Sequence, residues 1–231
     1  MGNIIEIPDW CKRVNIDVGT SVSAPYSEYW LSNDSELAVF AFEPNVFNYH
    51  SVIHGPGPIT INGKTHVAHN PPGRLNSSRI GKSFFIENIA LGNEDREIDF
   101  FCTSGDSGTS SMYEPNEMNV LDVTKVQMKK LSSFFKEFPW EKIPFISLLK
   151  IDAQGADFDI VKGCESFLKD RVATLIVETT VDDHYKIKVD QNAFKDYIMK
   201  QGFVMKSWDT DGSFFNEKFE DESKTIDFMP R

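Results

Sequence analysis

The chain has few cysteines and no long apolar run. Cys11, Cys102 and Cys164 are odd in number, widely spaced and without a C-x-x-C pair. This pattern excludes a disulfide framework and predicts packing cysteines in a reduced, cytoplasmic protein. No apolar stretch reaches the roughly 18 residues of a membrane-spanning helix, and no secretory signal is visible, so we expect no membrane span.

Basic residues are scarce relative to acidic ones. The chain has 24 Lys and Arg against 35 Asp and Glu, which gives a net charge of −11. A broad face for a polyanion is therefore not expected, and nucleic acid is excluded as a partner. The length of 231 residues and the hydrophobic share of 40% are typical of a single globular domain over 1–231.

One stretch near the start of the chain organises the interpretation of the rest. Residues 14–18 have the apolar character of a buried strand, and Gly19 opens a turn of small residues. A helix over 26–30 is predicted next, and a second apolar run over 37–42 ends in Glu43. A strand, a Gly-containing turn, a helix and a strand closed by an acid form half of a nucleotide-binding fold.

The composition of the turn indicates which ligand it suits. Asp17 precedes a single glycine, Gly19, and the turn lacks the several glycines that a dinucleotide pyrophosphate needs. A carboxylate at a strand tip suits an ammonium or sulfonium group instead. S-adenosylmethionine carries both, together with a ribose whose hydroxyls Glu43 would accept. The alternative interpretation is that Asp17 and Gly19 only form a strand-ending turn.

Further strands and helices alternate along the chain. The pattern predicts helices over 46–53, 125–138, 156–169 and 194–200, and strands over 84–90, 97–102, 120–122, 145–151, 172–177, 203–208 and 225–229. This alternation predicts an α/β fold with a mostly parallel sheet, helices on both faces and an antiparallel last strand.

Residues 54–83 interrupt this alternation as a Gly- and Pro-rich insertion. We predict a small hairpin over 59–67 around Asn62-Gly63 within it. The insertion is interpreted either as a lid or substrate loop or as a surface loop without a role. A second polar loop covers 103–116, and the two loops are expected to choose the substrate.

Polar side chains mark the carboxyl ends of five predicted strands. They are Asp17, Glu43, Asn88, Asp152 and Glu178. Ligands of open α/β sheets bind at these ends, and acids there are costly unless they are paired or used. We therefore expect these side chains to share one cleft.

Several motifs resemble those of the FkbM-type methyltransferases. The segment SLLKIDAQGADFDIVKG at 147–163 is similar to the family pattern K-I-D-x-E-G-x-E-x-x-x-L-x-G. NIDVGTSVS, AFEPN, ENIALGNEDREIDFF and IDFMPR resemble further family motifs in the same order. The resemblance implies the class I, Rossmann-like fold with a seven-stranded sheet. It also implies S-adenosylmethionine as cofactor and methylation of hydroxyls on sugars and polyketide-type metabolites.

The resemblance also implies roles for particular residues. Its matching positions give the cofactor-binding set Asp17, Gly19, Ser21, Glu43, Asn88, Ile89 and Asp152. Asp17 and Gly19 would hold the methionine end and Glu43 the ribose, while Asn88 with Ile89 would lie near the adenine. The chain departs from the family pattern at two positions, Ser23 in place of a glycine and Gln154 in place of an acid.

The transfer site is expected near Lys150, Asp152 and Gln154. An alcohol is a poor nucleophile, so a base within hydrogen-bond reach would help, and Asp152 is the first candidate, with His184 the second. Two alternatives remain. Asp152 would then only order the cofactor or cap the following helix, and His184 would be a surface imidazole. With Gln154 neutral, no metal site is predicted there.

Two other histidines have a spacing that zinc can use. His50 and His54 are four residues apart, but two ligands without a third do not make a site, and no metal is expected there.

Three functions compete at this point. The first is an S-adenosylmethionine-dependent O-methyltransferase acting on a hydroxyl of a sugar, glycan precursor or related small metabolite. The second is a catalytically silent module with the same fold, and the third a nicotinamide-dependent dehydrogenase. The acceptor atom and the oligomeric state have no readable signal in the sequence.

Overall fold

The computed structural model describes residues 5–68, 70–103, 107–179, 184–209 and 211–219. Its centre is a seven-stranded sheet. The strands follow in the spatial order β5 (Phe84–Glu87), β2 (Leu37–Phe42), β1 (Arg13–Val18), β9 (Ile146–Ile151), β10 (Val172–Glu178), β12 (Asp211–Asn216) and β11 (Phe203–Trp208). The first five strands are parallel, and β12 runs antiparallel to both of its neighbours. This confirms the predicted α/β fold with a mostly parallel sheet.

Two apolar clusters pack against this sheet. The helices are α1 (Pro25–Asn33), α2 (Val46–His54), α3 (Leu131–Lys136), α4 (Asp157–Gly163), α5 (Ser166–Arg171) and α6 (Gln191–Lys200). Phe40 and Phe42 of β2 belong to a cluster with Phe135 of α3. Val39 and Ala41, which alternate with them along β2, belong to a second cluster with Trp30 of α1. Because successive strand residues point to opposite faces, the two clusters lie on opposite sides of the sheet.

Five further strands form two smaller sheets. A three-stranded sheet has the order β6 (Ala90–Gly92), β8 (Val120–Lys130) and β7 (Arg96–Thr103), and a hairpin pairs β3 (Gly57–Ile61) with β4 (Lys64–Ala68). The hairpin turn has positive φ at both Asn62 and Gly63, 52° and 75°, as a two-residue turn of type I′ requires. The hairpin predicted around Asn62-Gly63 is thereby confirmed.

Two helices predicted from the sequence are wrong in extent. The expected helix over 125–138 is a strand as far as Lys130, and only Leu131–Lys136 is helical. Val126 and Met128 are buried, while Lys125, Gln127 and Lys129 beside them are exposed, so the period is that of a strand. The expected helix over 156–169 is two helices, because Glu165 between them has a φ of 54°.

The predicted strands also differ from the observed ones in three places. The strand expected over 84–90 is divided between β5 and β6, which belong to different sheets, and the strand at 97–102 pairs with β8 outside the central sheet. The strand β12 was missed, because its sequence DGSFFN has weak strand character. The predicted strand over 225–229 lies outside the described residues.

The carboxyl ends of the parallel strands meet along one edge of the sheet. Val18 lies in register with Phe42 on one side and with Ile151 on the other. Val177 and Glu87 continue the same row on the neighbouring strands. The chain segments that follow these residues therefore lie next to one another, which is where the polar strand ends were predicted to meet. Within the described part of the chain, no helix has the length and apolar character needed to cross a membrane.

Candidate active site

A cleft with an empty volume of about 790 Å³ lies at this edge, between the loop after β1 and the three-stranded sheet. Five predicted site residues line it, namely Gly19, Ser21, Glu43, Ile89 and Asp152. Of the five polar strand ends expected to share one cleft, Glu43 and Asp152 are among its described lining residues, whereas Asp17, Asn88 and Glu178 are not.

Gly19 is where three strand ends meet. Its N–H donates to the carbonyl of Phe42 at 3.0 Å, and the N–H of Asp152 donates to the carbonyl of Val18 at 3.1 Å. Gly19 has a φ of 77°, and a Cβ atom there would lie 1.9 Å from the carbonyl oxygen of Asp152. A side chain at this position would therefore need both a strained backbone and a displaced β9 end.

Glu43 is a buried carboxyl group that faces the cleft. It accepts hydrogen bonds from the N–H groups of Ser21, at 2.8 Å, and Asn45, at 2.9 Å. Ser21 has a φ of 57°, so the loop after Gly19 turns its backbone toward the acid. Burial raises the pKa of Glu43 to about 7, and the two backbone donors only partly oppose this shift. The group can accept hydroxyl donors at neutral pH once a ligand favours its ionised form.

Asn88 and Ile89 follow β5 and have different positions. The amide of Asn88 donates to the carbonyls of Glu43 at 2.8 Å and of Pro44 at 3.1 Å, so it holds the end of β2 in place. Ile89 lines the cleft together with Phe100, and these side chains make its wall apolar on this side. Asn88 is not among the described residues that line the cleft.

Asp17 and Lys150 form a buried pair below the Gly19 loop. The carboxylate of Asp17 accepts from the hydroxyl of Ser27 at 2.6 Å and lies 3.4 Å from the ammonium of Lys150. Burial raises the pKa of Asp17, and Lys150 and Ser27 oppose that shift. Burial lowers the pKa of Lys150, but Asp17 and Asp152 outweigh it and leave that pKa raised, so Lys150 is cationic. Neither side chain is among the described cleft-lining residues.

The ammonium of Lys150 also holds Asp152. It lies 3.5 Å from the second carboxylate oxygen of Asp152, whose side chain is 39% exposed and lines the cleft. It is also 4.7 Å from the ring centroid of Tyr26. Lys150 therefore joins the buried Asp17 to the accessible Asp152, and Asp152 is the member of this group that a ligand can reach.

Gln154 bridges Asp152 to the next strand end. Its amide nitrogen lies 3.1 Å from a carboxyl oxygen of Asp152 and 3.0 Å from one of Glu178. Behind them, Asp157 accepts from the N–H of Glu178 at 3.2 Å, and burial raises its pKa to about 7. Two acids and one amide thus lie at the ends of β9 and β10, with a third acid at the start of α4.

His184 lies apart from this group. Its side chain is exposed, and its carbonyl accepts the N–H of Asn116 at 2.8 Å. It is absent from the cleft lining of the described chain.

His50 and His54 stack with their ring centroids 5.4 Å apart. The described residues contain no group of three or more His, Cys, Asp or Glu side chains that could hold a metal ion. The three cysteines are buried and free, which confirms the packing role predicted for them.

Three further cleft residues were not predicted individually, although the loop that carries two of them was expected to contribute to substrate choice. Phe100 is on β7, and Ser110 and Met112 are in the polar loop over 103–116. The amide of Asn45 donates to the hydroxyl of Ser110 at 2.8 Å, which fastens this loop beside Glu43. The Ser and Gly content of the loop was the only available signal, and it indicates hydrogen-bonding capacity without indicating a location.

Comparison with known proteins agrees with this arrangement. The family model described as the methyltransferase FkbM domain matches residues 15–205. A crystal structure of methyltransferase FkbM from Methylobacillus flagellatus KT has the same fold, with a TM-score of 0.51 at 11% identity. The alignment covers 89% of this chain and 44% of the Methylobacillus protein, so this chain spans less than half of the length of that protein. No curated protein matches the sequence. Because the family match covers most of the chain, including Gly19, Glu43 and Asp152, the chain belongs to the FkbM methyltransferase family.

Proposed function

We propose that this protein is an S-adenosylmethionine-dependent methyltransferase that methylates a hydroxyl of a sugar, glycan precursor or related small metabolite. The observation that carries the proposal is the position of Glu43, a buried acid lining the same cleft as Gly19 and Asp152. Membership of a methyltransferase family implies a methyl donor. The combination of acidic and apolar residues that line this cleft suits S-adenosylmethionine. The strand order, with β12 antiparallel between β10 and β11, is the arrangement that we assign to the class I fold.

The residues around the cleft fit the parts of this cofactor. Glu43 would accept the ribose hydroxyls, and the apolar wall at Ile89 and Phe100 would cover the adenine. Gly19 leaves the backbone of its loop open to the methionine end, and Asp17 below it supports that loop through Ser27. When bound, the cofactor supplies an electrophilic methyl group on a sulfonium. Asn88 acts indirectly, by fixing the backbone of Glu43.

Asp152 would remove the proton of the acceptor hydroxyl. It is the exposed member of the Asp17–Lys150–Asp152 group, and it lines the cleft. A carboxylate within hydrogen-bond reach of the hydroxyl makes the oxygen a better nucleophile. Lys150 would act by orienting Asp152, because the ammonium is buried and bound to both acids. His184 is a weaker candidate, since its imidazole is exposed and the structure provides no contact of its side chain with the cleft.

Titration calorimetry tests the cofactor assignment. S-adenosylhomocysteine should bind the wild-type chain, and NAD should not. Glu43→Gln should weaken S-adenosylhomocysteine binding at least tenfold, which corresponds to about 1.4 kcal/mol, a typical value for a lost charged hydrogen bond. Glu87→Gln is the matched control, because Glu87 ends the adjacent strand and is exposed outside the cleft. Binding of NAD alone would favour a dehydrogenase, and binding of neither would favour a silent module.

The acceptor class needs a separate experiment. A screen over hydroxylated sugars and glycolipid precursors should detect S-adenosylhomocysteine formation with at least one of them. The same acceptor with Asp152→Asn should show a loss of turnover while S-adenosylhomocysteine still binds. Full turnover in Asp152→Asn would remove this residue from the role of base.

A further inference from the structure

One amide lies between two carboxyl groups at the ends of neighbouring strands. The nitrogen of Gln154 is 3.1 Å from Asp152 and 3.2 and 3.0 Å from the two oxygens of Glu178. Since both acids lie about 3 Å from the same nitrogen, their nearest oxygens are at most about 6 Å apart, a separation at which like charges repel strongly.

The amide is held in one orientation. The hydroxyl of Tyr185 lies 2.9 Å from the amide oxygen of Gln154 and 2.7 Å from the carbonyl oxygen of Thr109, and its single proton can serve either acceptor. The NH₂ group of Gln154 faces the two acids, because an ionised carboxylate can only accept. The hydroxyl of Ser111 donates to the carbonyl of Gln154 at 2.8 Å. Gln154 also has a φ of 51°, an unusual backbone for a residue with a side chain. A costly backbone and an oriented side chain together indicate a built position rather than a surface residue.

The two acids have different surroundings. Asp152 has the ammonium of Lys150 at 3.5 Å and faces the cleft. Glu178 is absent from the described lining residues, and burial, followed by the charges of Asp152 and Asp157, raises its pKa, while the hydrogen bond from Gln154 opposes this shift. The titratable or charged groups that act on this pair are Asp17, Tyr26, Lys150, Asp157 and Asp211. The only cation in that set lies beside Asp152.

We propose that Gln154 is a positioning residue that joins these acids at a point where their charge is divided, with Asp152 ionised toward the cleft and Glu178 neutral. Burial and the charges of Asp152 and Asp157 keep Glu178 neutral, and the amide holds the two acids side by side. An amide can donate to both acids without adding a charge. A carboxyl group in its place would bring a third acid to the same point, and one more proton would then be shared among them. This inference rests on the proposed function only in taking Asp152 as the group that meets the acceptor.

Urea unfolding of the full chain at pH 5 and pH 9 tests the division of charge without a ligand. Gln154→Glu should have a urea midpoint close to wild type at pH 5, where the added carboxyl is protonated and can still donate. At pH 9 its midpoint should fall well below that of Gln154→Met. Gln154→Met, which has a similar size and no donor, should lose stability at both pH values. Equal losses for the two variants at both pH values would show a merely structural role and overturn the proposal.

Glu178→Gln gives an independent test, because glutamine imitates the neutral acid. Its urea midpoint should match wild type at pH 5 and exceed it at pH 9, where the native carboxyl ionises. Carbon-13 NMR of the labelled chain should show Glu178 protonated at pH 7.5, and an ionised Glu178 would also overturn the proposal. Calorimetry with S-adenosylhomocysteine keeps the two proposals apart. Failure of that ligand to bind would remove the proposed function but leave the charge division intact.

Discussion

Replacing Gly19 by alanine tests whether the three strand ends must meet as closely as the structure places them. The new Cβ would lie 1.9 Å from the carbonyl oxygen of Asp152 and 3.0 Å from its carbonyl carbon. Backbone atoms cannot rotate away as the end of a side chain can. Either the loop after β1 or the end of β9 must therefore move, and both line the proposed cofactor cleft.

The expected cost has two parts. An alanine at a φ of 77° costs roughly 1–2 kcal/mol, and the overlap with β9 adds about 1–3 kcal/mol, as for overpacked cores. The sum, roughly 2–5 kcal/mol, is a large fraction of the stability of a typical domain. Affinity for S-adenosylhomocysteine should fall as well, because Gly19 and Asp152 would separate.

Two other glycines isolate these parts. Gly81 has a φ of 72°, and no atom of the described chain would lie within 4 Å of its Cβ, so Gly81→Ala measures the backbone cost alone. At Gly163 a Cβ would lie 2.0 Å from the carbonyl oxygen of Gly92, and Gly163 has no positive φ. Neither glycine is among the described residues that line the cleft. Gly163→Ala should therefore lose stability but keep ligand affinity.

The assays are urea unfolding at pH 7 and calorimetry with S-adenosylhomocysteine. Gly19→Ala should lose both stability and affinity, and Gly81→Ala only about 1–2 kcal/mol of stability. Equal losses of stability for Gly19→Ala and Gly81→Ala would refute the reasoning, because the overlap would then cost nothing. Unchanged affinity in a destabilised Gly19→Ala would separate this loop from the cofactor.

Two further predictions concern buried acids. Because the pKa of Glu43 is raised from 4.5 to about 7, its contribution to stability is complete below about pH 4.5 and is lost as the pH rises through 7, by up to about 3 kcal/mol. Urea unfolding at pH 5 and 8.5 should show this loss of stability, and the loss should be smaller in Glu43→Gln. A loss of the same size in that variant would contradict the attribution of this pH dependence to Glu43. Ser27→Ala should cost about 1–3 kcal/mol, because it leaves an oxygen of the buried Asp17 without its 2.6 Å donor. Ser32→Ala, an exposed serine on the same helix, should cost under about 0.5 kcal/mol, and equal effects for the two serines would argue against a buried network.

The central sheet was predictable where strands are short, apolar and buried on both faces. Leu37–Phe42 begins and ends at the residues predicted for it, and β1 and β9 each differ by one residue. The bounds of Phe203–Trp208 were also predicted correctly, although this edge strand is mostly exposed. Prediction was wrong where a half-buried strand runs directly into a helix. Burial alternates near the end of Val120–Lys130, as expected for a strand. The helix prediction arose because Val126 and the apolar residues that follow Lys130 appeared to share one helix face.

The sequence by itself determined the family resemblance, the mostly parallel sheet and the set of polar strand ends, because these depend on local patterns and on the geometry of parallel strands. Only the tertiary structure decided which of those ends face the cleft. Glu43 and Asp152 line it, whereas Asp17 is covered by Ser27 and Lys150. The bridge from Gln154 to Glu178 likewise joins residues 24 positions apart. Contacts of this kind depend on packing between distant segments, and no local pattern in the chain encodes them.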